Sequence, residues 1–578
     1  MREKPMRETT SVSVAIVGSG GAGALTTGNF VLEAASLAGW HGILTRTVGP
    51  QIRGGEAAAL VRLATHPVEC LSDRFDLLIA IDWLNASRFD AEIRLGPDSL
   101  VIGDPRGGEP PASIAASGAR LINVPMKETA KALPEGRANM IALGIAMQLL
   151  GLSEDAMTTV LERRLAEKGA AAIAASRTAL CAGIDAAREL ALPVRLAPPG
   201  EVAGKRWLVT GNEATGLGAI RGGVRFAAAY PITPATEILE WLAPNLVKAG
   251  GVLLQAEDEL ASINMIIGAS FGGTPSLTAT SGPGLSLMTE ALGLATAAEV
   301  PIVVVDVMRG GPSTGIPTKS EQADLNIAVY GFHGDAPHLV LAPQSVGDCL
   351  FTTQWAAYLA EALQAPAIVL SDQFMGQSRA AIARPADVAF IGQRRRATEI
   401  AAPYKRYALA GDGVSAMAIP GTPNGQYTAD GLTHTERGIP TSRAEDHLAQ
   451  LDKRRDKLAR FAYGDHWATI EGDGDLAVLT WGSLTGAVRE GLARARKDGV
   501  AARLVAPRLL YPTRPDEFAA ALDGAKRLLV VEQTHSAQFH HYLRAHYDLP
   551  GEVRVLNRPG PLPISPGEIH RTVLEWRA

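Results

Sequence analysis

Three cysteines in 578 residues are too few for an iron–sulfur cluster, which takes four thiolates, and Cys70, Cys181 and Cys349 form no C-x-x-C pair. The same scarcity excludes a disulfide framework and makes a reducing cytoplasm the expected setting. Aromatic residues are only 5% of the chain, so stacking platforms are few. A formal net charge of -5 gives no basic footprint, and nucleic acid is not an expected partner. Long apolar runs are missing as well. The polar start MREKPMRETT is followed by SVSVAIVGSGGAGA, which breaks into glycines too early for a signal peptide or a membrane span. What is present is 47% hydrophobic and 20% charged residues, a balance that fits a soluble globular protein. At roughly 100–200 residues per domain, the length predicts three or four domains.

Strand–helix alternation recurs along the chain. In residues 1–190, VSVAIVG, GILTRTV, DLLIAID and SLVIGD read as strands, and NMIALGIAMQLLGL reads as a strongly apolar helix. Residues 191–205 lose periodicity, gain prolines and read as a linker. Residues 206–385 carry the strands VLLQAE, PSLTATS, PIVVVDVM, LVLAP and AIVLSD with helices between them. Residues 386–578 open on a Pro-, Gly- and Arg-rich stretch. There Ser442 and Glu445 have capping-box spacing before a charged helix, and a smaller α/β unit follows. The expected fold class is therefore α/β, with three α/β domains built on mainly parallel sheets covered on both faces.

Two places invite a functional reading. Gly18-Ser-Gly20-Gly21-Ala-Gly23 after a strand matches the dinucleotide fingerprint, and GPQIRGGEAA supplies a second glycine-rich loop on the same edge. That fingerprint needs an acid about 20 residues on, and none follows GILTRTV until Glu56. Close strand–helix packing, or a helix N-terminus that receives another phosphate group, explains these glycines as well. The second place is the carboxyl edge of the 206–385 sheet. The stiff turn Tyr230-Pro231-Ile232-Thr233-Pro234 fixes two φ angles and leaves one hydroxyl to aim. The triplet Glu257-Asp258-Glu259, the loop Thr280-Ser281-Gly282-Pro283-Gly284 and the loop from Arg309 to Thr318 and Lys319 all follow strands of the same sheet. Acids in a first helical turn are ordinarily explained by the helix dipole. Their company on one rim, where α/β ligands bind, argues for a site.

These segments carry a resemblance. GNEATGLGAIRGGVRFAAAYPITPATEI, EDELASINMIIGASFGGTPSLTATSGPGLSLMTEALGLA and RGGPSTGIPTKSEQADL closely resemble the α subunit of 2-oxoacid:ferredoxin oxidoreductases. GSGGAGALTTG and GPQIRGGEA resemble the γ subunit of the same enzymes, and a γ–α fusion is most similar to the 2-oxoglutarate type. The resemblance implies a gamma-type domain (1–190), a thiamine-diphosphate pyrimidine-binding domain (206–385) and a transketolase C-terminal-like domain (386–578). It implies thiamine diphosphate shared with a β subunit that holds the diphosphate, Mg2+ and a 4Fe–4S cluster. Coenzyme A is then the acyl acceptor, ferredoxin the electron acceptor, and the assembly two αβ pairs. Glu259, with Gly268 nine positions on, fits the acid that touches the cofactor's pyrimidine, and Glu257 is the runner-up. Thr233 and Arg309 are implied contacts of the substrate's 1-carboxylate. Tyr230, Pro231, Ile232, Ser281, Gly282 and Thr318 are implied cofactor neighbours, Thr318 being equally well explained as a helix cap. The substrate tail leaves pyruvate or an aryl pyruvate as alternatives to 2-oxoglutarate, and a stand-alone flavin or nicotinamide oxidoreductase is a rival from another class.

No metal site is expected in this chain. Glu471-Gly-Asp-Gly-Asp475 lacks the later Asn pair of a diphosphate motif and reads as a turn. His535, His540, His541 and His546 lack i, i+4 metal spacing. Arg394-Arg395-Arg396 reads as a short solvated run, with coenzyme A phosphates or a partner as the other use.

Overall fold

The computed structural model describes residues 7–49, 55–200, 206–400 and 403–576. Residues 50–54 of GPQIRGGEAA and residues 201–205 of the expected linker lie outside the described residues. The chain forms two units: Met1–Thr210 with Gln377–Ala386 and Ser565–Gly567, and Gly211–Gly376 with Asp387–Ile564 and Glu568–Ala578.

The first unit is built on an eight-stranded sheet. Ser11–Gly18, Leu77–Ala80, Leu100–Gly103 and Arg120–Asn123 run parallel to one another. Ser11–Gly18 buries both faces: Val12, Val14 and Ile16 join one apolar cluster, and Ala15 and Val17 the other. The other half of the sheet is antiparallel, contrary to the expectation of a parallel one. His41–Val48 and Ala57–Ala64 pair antiparallel, because the short connection between them can return the chain only that way. Arg206–Thr210 and Arg379–Ala383, read from sequence as the two ends of the second region, complete this sheet as an antiparallel pair. Within the expected linker, Val194–Leu196 is a short strand beside Arg7–Thr9.

The second unit holds a seven-stranded and a five-stranded sheet lined by one apolar cluster. Strands such as Val303–Met308 and Ala367–Asp372 are buried along their whole length, which is why they read as unbroken apolar runs rather than as alternations. Leu509–Tyr511, from the C-terminal region, adds an antiparallel strand to the larger sheet. The described residues of 387–443 hold no helix or strand of this unit, and buried polar bonds fasten several of them. Arg394 is not solvated: it makes a two-pronged ion pair with Glu361 at 2.7 Å and donates to the Ser270 hydroxyl at 3.1 Å. Arg395 pairs with Asp412, and Arg396 donates to the Gly273 carbonyl.

The charged helix begins at Ala444 with Arg443 in the cap position, so the Ser442–Glu445 capping box does not form. Thr441 accepts from the Arg443 N–H at 3.2 Å and donates to Asp446 at 2.9 Å instead. The inner face of this helix is itself charged. Lys453 and Lys457 reach the fully buried Glu299 at 2.6 and 2.7 Å. Glu299 sits at φ 51°, a left-handed conformation usually left to glycine or asparagine, so its charge rather than its backbone preference accounts for its place.

Candidate active site

Val252–Gln255, Phe226–Ala229, Ser276–Thr280 and Val303–Met308 are adjacent and parallel. Their carboxyl ends share one rim, and the expected loops leave from it. The acid triplet divides its roles. Asp258 caps the Glu259–Phe271 helix by accepting from the Ala261 N–H at 2.6 Å, and Glu257 is exposed. Glu259 alone turns inward and is 7% exposed. Gly284 makes room for it: a Cβ there would lie 2.6 Å from Glu259 Cγ and 2.0 Å from the Thr280 hydroxyl. Glycine at 284 is thus required by the close approach of a strand end and a carboxylate.

Arg309 and Thr233 come together. Arg309 donates Nη1 to the Thr233 carbonyl at 2.6 Å, so the loop after one strand grips the turn after another. The Thr233 hydroxyl, Pro231 and Ile232 are half-buried, and Tyr230 stands exposed at the rim. Asn212 holds the same turn from behind, donating to the Pro234 carbonyl at 2.9 Å. Ser281 is fully buried and its hydroxyl has no partner among the described residues. Gly282 begins the next helix, and Thr318 is buried on the Arg309 loop.

Sequence reasoning missed two acids here. Asp306 interrupts the valine run of its strand and is fully buried, and Asp324 stands beside Gly282, where a Cβ would meet its carboxylate at 2.7 Å. An acid inside a buried strand was the available signal. Burial pushes both carboxyls above the ordinary aspartate range, and Asp306, beside the Asp324 charge, the further of the two. Burial pulls the Arg309 guanidinium down, while Asp324, Asp306 and Glu259 oppose that shift. A cation with a free Nε, an orphan hydroxyl at Ser281 and a buried carboxylate against glycine form a polar pocket floor, able to orient a small acid and to hold or pass a proton.

The glycine-rich loop of the first unit is used otherwise. The Ser19 N–H and hydroxyl are both taken by Asp82, at 2.9 and 2.7 Å, which puts a negative charge where a pyrophosphate would need donors. Gly23, at φ 86°, packs where a Cβ would strike the Asn139 side chain at 2.6 Å. Glu56 is engaged by Arg88 and Asn85. Close packing accounts for Gly18 and Gly23, and a left-handed φ of 83° for Gly21. Among the described residues no group of three or more His, Cys, Asp or Glu could hold a metal ion, and no helix is long and apolar enough to cross a membrane.

Fold and site together define one class: an α/β subunit whose parallel sheet presents a buried glutamate and an arginine on one rim, the layout of a thiamine-diphosphate-binding domain. The comparisons with known proteins agree. Residues 217–453 match the family described as pyruvate flavodoxin/ferredoxin oxidoreductase, thiamine diphosphate binding, and residues 13–186 match pyruvate ferredoxin/flavodoxin oxidoreductase. The chain is 38% identical to 2-oxoglutarate synthase subunit KorA of Methanothermobacter marburgensis, over 64% of this chain and 96% of that protein. It is 29% identical to 2-oxoacid:ferredoxin oxidoreductase 2, subunit alpha, of Aeropyrum pernix, over 95% of each. A solved structure, the 2-oxoglutarate:ferredoxin oxidoreductase from Magnetococcus marinus with 2-oxoglutarate, coenzyme A and succinyl-CoA bound, aligns with a TM-score of 0.91 at 38% identity, covering 98% of this chain and 100% of that one. The chain belongs to the 2-oxoacid:ferredoxin oxidoreductase family, as an alpha-type subunit of a multi-subunit enzyme.

Proposed function

We propose that this chain is the fused γ–α component of a 2-oxoglutarate:ferredoxin oxidoreductase, forming succinyl-CoA and passing electrons to ferredoxin only when joined to a β subunit. The observation that carries the reading is the pairing, on one rim, of buried Glu259 with Arg309 clasped to the Thr233 turn. The residues present suit thiamine diphosphate, because Gly284 lets the buried Glu259 carboxylate lie against the strand end and the Ser281 hydroxyl has no partner among the described residues. When bound, that coenzyme supplies the electron sink that decarboxylation of a 2-oxo acid needs. Glu259 would face the pyrimidine ring nitrogen, with Glu257 at the rim, and Tyr230, Pro231, Ile232, Ser281, Gly282 and Thr318 would line the ring's place. Arg309 and Thr233 fix the plane of the substrate's 1-carboxylate through charge-assisted hydrogen bonds. The division into a gamma-type domain, a pyrimidine-binding domain and a transketolase C-terminal-like domain belongs to the same proposal.

The β subunit is assigned the diphosphate, Mg2+ and the 4Fe–4S cluster, since three cysteines cannot supply four thiolates. Support for a partner on this face comes from the Glu259 helix. Its outward residues Leu260 and Met265 are 51% and 41% exposed. A Cβ on Gly268 would meet nothing within 4 Å, so nothing among the described residues requires glycine there. Two αβ pairs are the proposed assembly.

The test is co-expression with the neighbouring Cys-bearing subunit and assay of viologen reduction over a panel of 2-oxo acids. The expected result is coenzyme A-dependent turnover with the highest kcat/KM for 2-oxoglutarate, and none from the chain alone. Preference for pyruvate or an aryl pyruvate would overturn the substrate assignment. Turnover by the chain alone with a flavin or nicotinamide would overturn the whole reading.

A further inference from the structure

Arg309 is poorly held for a residue that must aim. Among the described residues it makes one hydrogen bond, to the Thr233 carbonyl, and its Nε has no acceptor. What surrounds it is negative charge without contact: Asp324, Asp306 and Glu259 all act on the guanidinium. Two of these acids have no role in the reading above. Asp306 comes from the Val303–Met308 strand, directly across from Thr280 in register, and is fully buried. Asp324 precedes the Leu325–Tyr330 helix, and its carboxylate lies against Gly282 at the start of the Gly282–Ala297 helix.

Charge accounting decides what the two can be. With both ionised, neither Asp306 oxygen has a donor, and one Asp324 oxygen lacks one as well. Two adjacent buried carboxylates without donors do not both ionise. Two full negative charges on this pair would also repel an incoming carboxylate. A single proton resolves both problems: a neutral Asp306 donates to Asp324, which keeps its charge. The charge that remains lies near the positive end of the Gly282–Ala297 helix, with Glu321 the other acid acting on it.

We propose that Asp306 and Asp324 are positioning residues for Arg309, a proton-sharing acid pair whose one negative charge holds the guanidinium with its free edge toward the substrate carboxylate. The inference rests on the reading of Arg309 as the substrate's carboxylate contact. Asp306 sets the number of charges, and Asp324 sets where the charge lies. Neither touches the reacting atoms.

The experiment uses the assembled complex. Asp324→Asn is expected to raise KM for 2-oxoglutarate by about tenfold while kcat changes by less than about threefold and KM for coenzyme A stays put, the pattern of lost substrate positioning. Asp306→Leu, which leaves Asp324 without a donor, should raise KM at least about fivefold more than Asp306→Asn, which keeps one. If Asp324→Asn prevents assembly, that Leu-against-Asn contrast carries the test. A second readout needs no turnover. The infrared spectrum of the chain at neutral pH, minus that of Asp306→Asn, should show the carbonyl stretch of a neutral carboxylic acid. Absence of that band, or equal KM in all three variants, overturns the pair. Arg309→Ala separates the two levels. If it raises KM while the Asp variants do not, the acid pair alone is wrong. If it leaves KM unchanged, the substrate reading of Arg309 falls first.

Discussion

Glu259 shares its chemistry with Glu257 and Asp258 and differs from them in burial. A proton held beside a ring nitrogen is useful only where water cannot compete for it, so the buried member of the triplet is the one to test. Glu259→Gln is expected to cut turnover of the assembled complex by about 10²–10⁴-fold with assembly intact, the usual contribution of one positioned acid–base group. Glu257→Gln should cost far less. Activity that survives Glu259→Gln would remove the reading. Glu299 makes a different kind of claim. Although burial opposes ionisation, Lys457, Lys453 and Arg406 hold its carboxyl well below the ordinary glutamate range. Its contribution to stability is therefore complete above the unfolded value, and it is lost as pH falls from there through the folded one. Glu299→Gln should destabilise the protein by about 3–5 kcal/mol at pH 7, because it strands two buried ammonium groups. In denaturant titrations the gap from the wild type should narrow as the pH drops below the ordinary carboxylate value. Lys457 works in the opposite sense. Burial lowers it to about 8, so its unfavourable contribution is felt below that pH and relieved above it.

At the scale of elements, the site is a meeting of strand ends, and its tightest meeting is at Gly284. A methyl group there would collide with Thr280 and Glu259, so Gly284→Ala must displace the carboxylate or the helix start. The expected outcome is loss of thiamine-dependent activity by more than about tenfold with a stability cost of about 1–3 kcal/mol, typical of overpacking, read from turnover and thermal unfolding. The four loops of this rim were legible in the sequence because parallel strands put every carboxyl end on one side. Asp306 was hidden by its own strand: a valine run reads as core, and nothing in the local pattern announces which acid will face it. Asp324 is brought near only by the fold of a long loop. Arg394 misled for a related reason. Three consecutive arginines look solvated, and only the distant Glu361 and Ser270 reveal that the first is a buried clamp. The antiparallel pair of His41–Val48 and Ala57–Ala64 was not legible because Ala57–Ala64 follows a glycine-rich loop and carries no strand signal as clear as GILTRTV.

At the scale of the whole molecule, the proposal stands on incompleteness. The chain brings a glutamate, an arginine and a rigid turn to one rim, but it has too few cysteines for a cluster and no diphosphate motif. On the proposed reading another polypeptide closes this rim, and the Glu259 helix is where it would pack. Its inner residues Ile263, Ile266 and Ile267 belong to the core, whereas Leu260 and Met265 spend apolar surface on solvent. Gly268 lies on the same helix with open space where a side chain would stand. A partner packed there would turn all three into interface, and a charge would be expensive because it could find no water once buried. Met265→Glu should therefore abolish co-purification of the β subunit, and with it 2-oxo acid turnover. The melting temperature of the isolated chain should stay where it is, since the side chain is exposed in that state. Retention of the partner by Met265→Glu and by a second variant, Leu260→Asp, would move the interface elsewhere. It would also remove the ground for placing the partner beside Glu259.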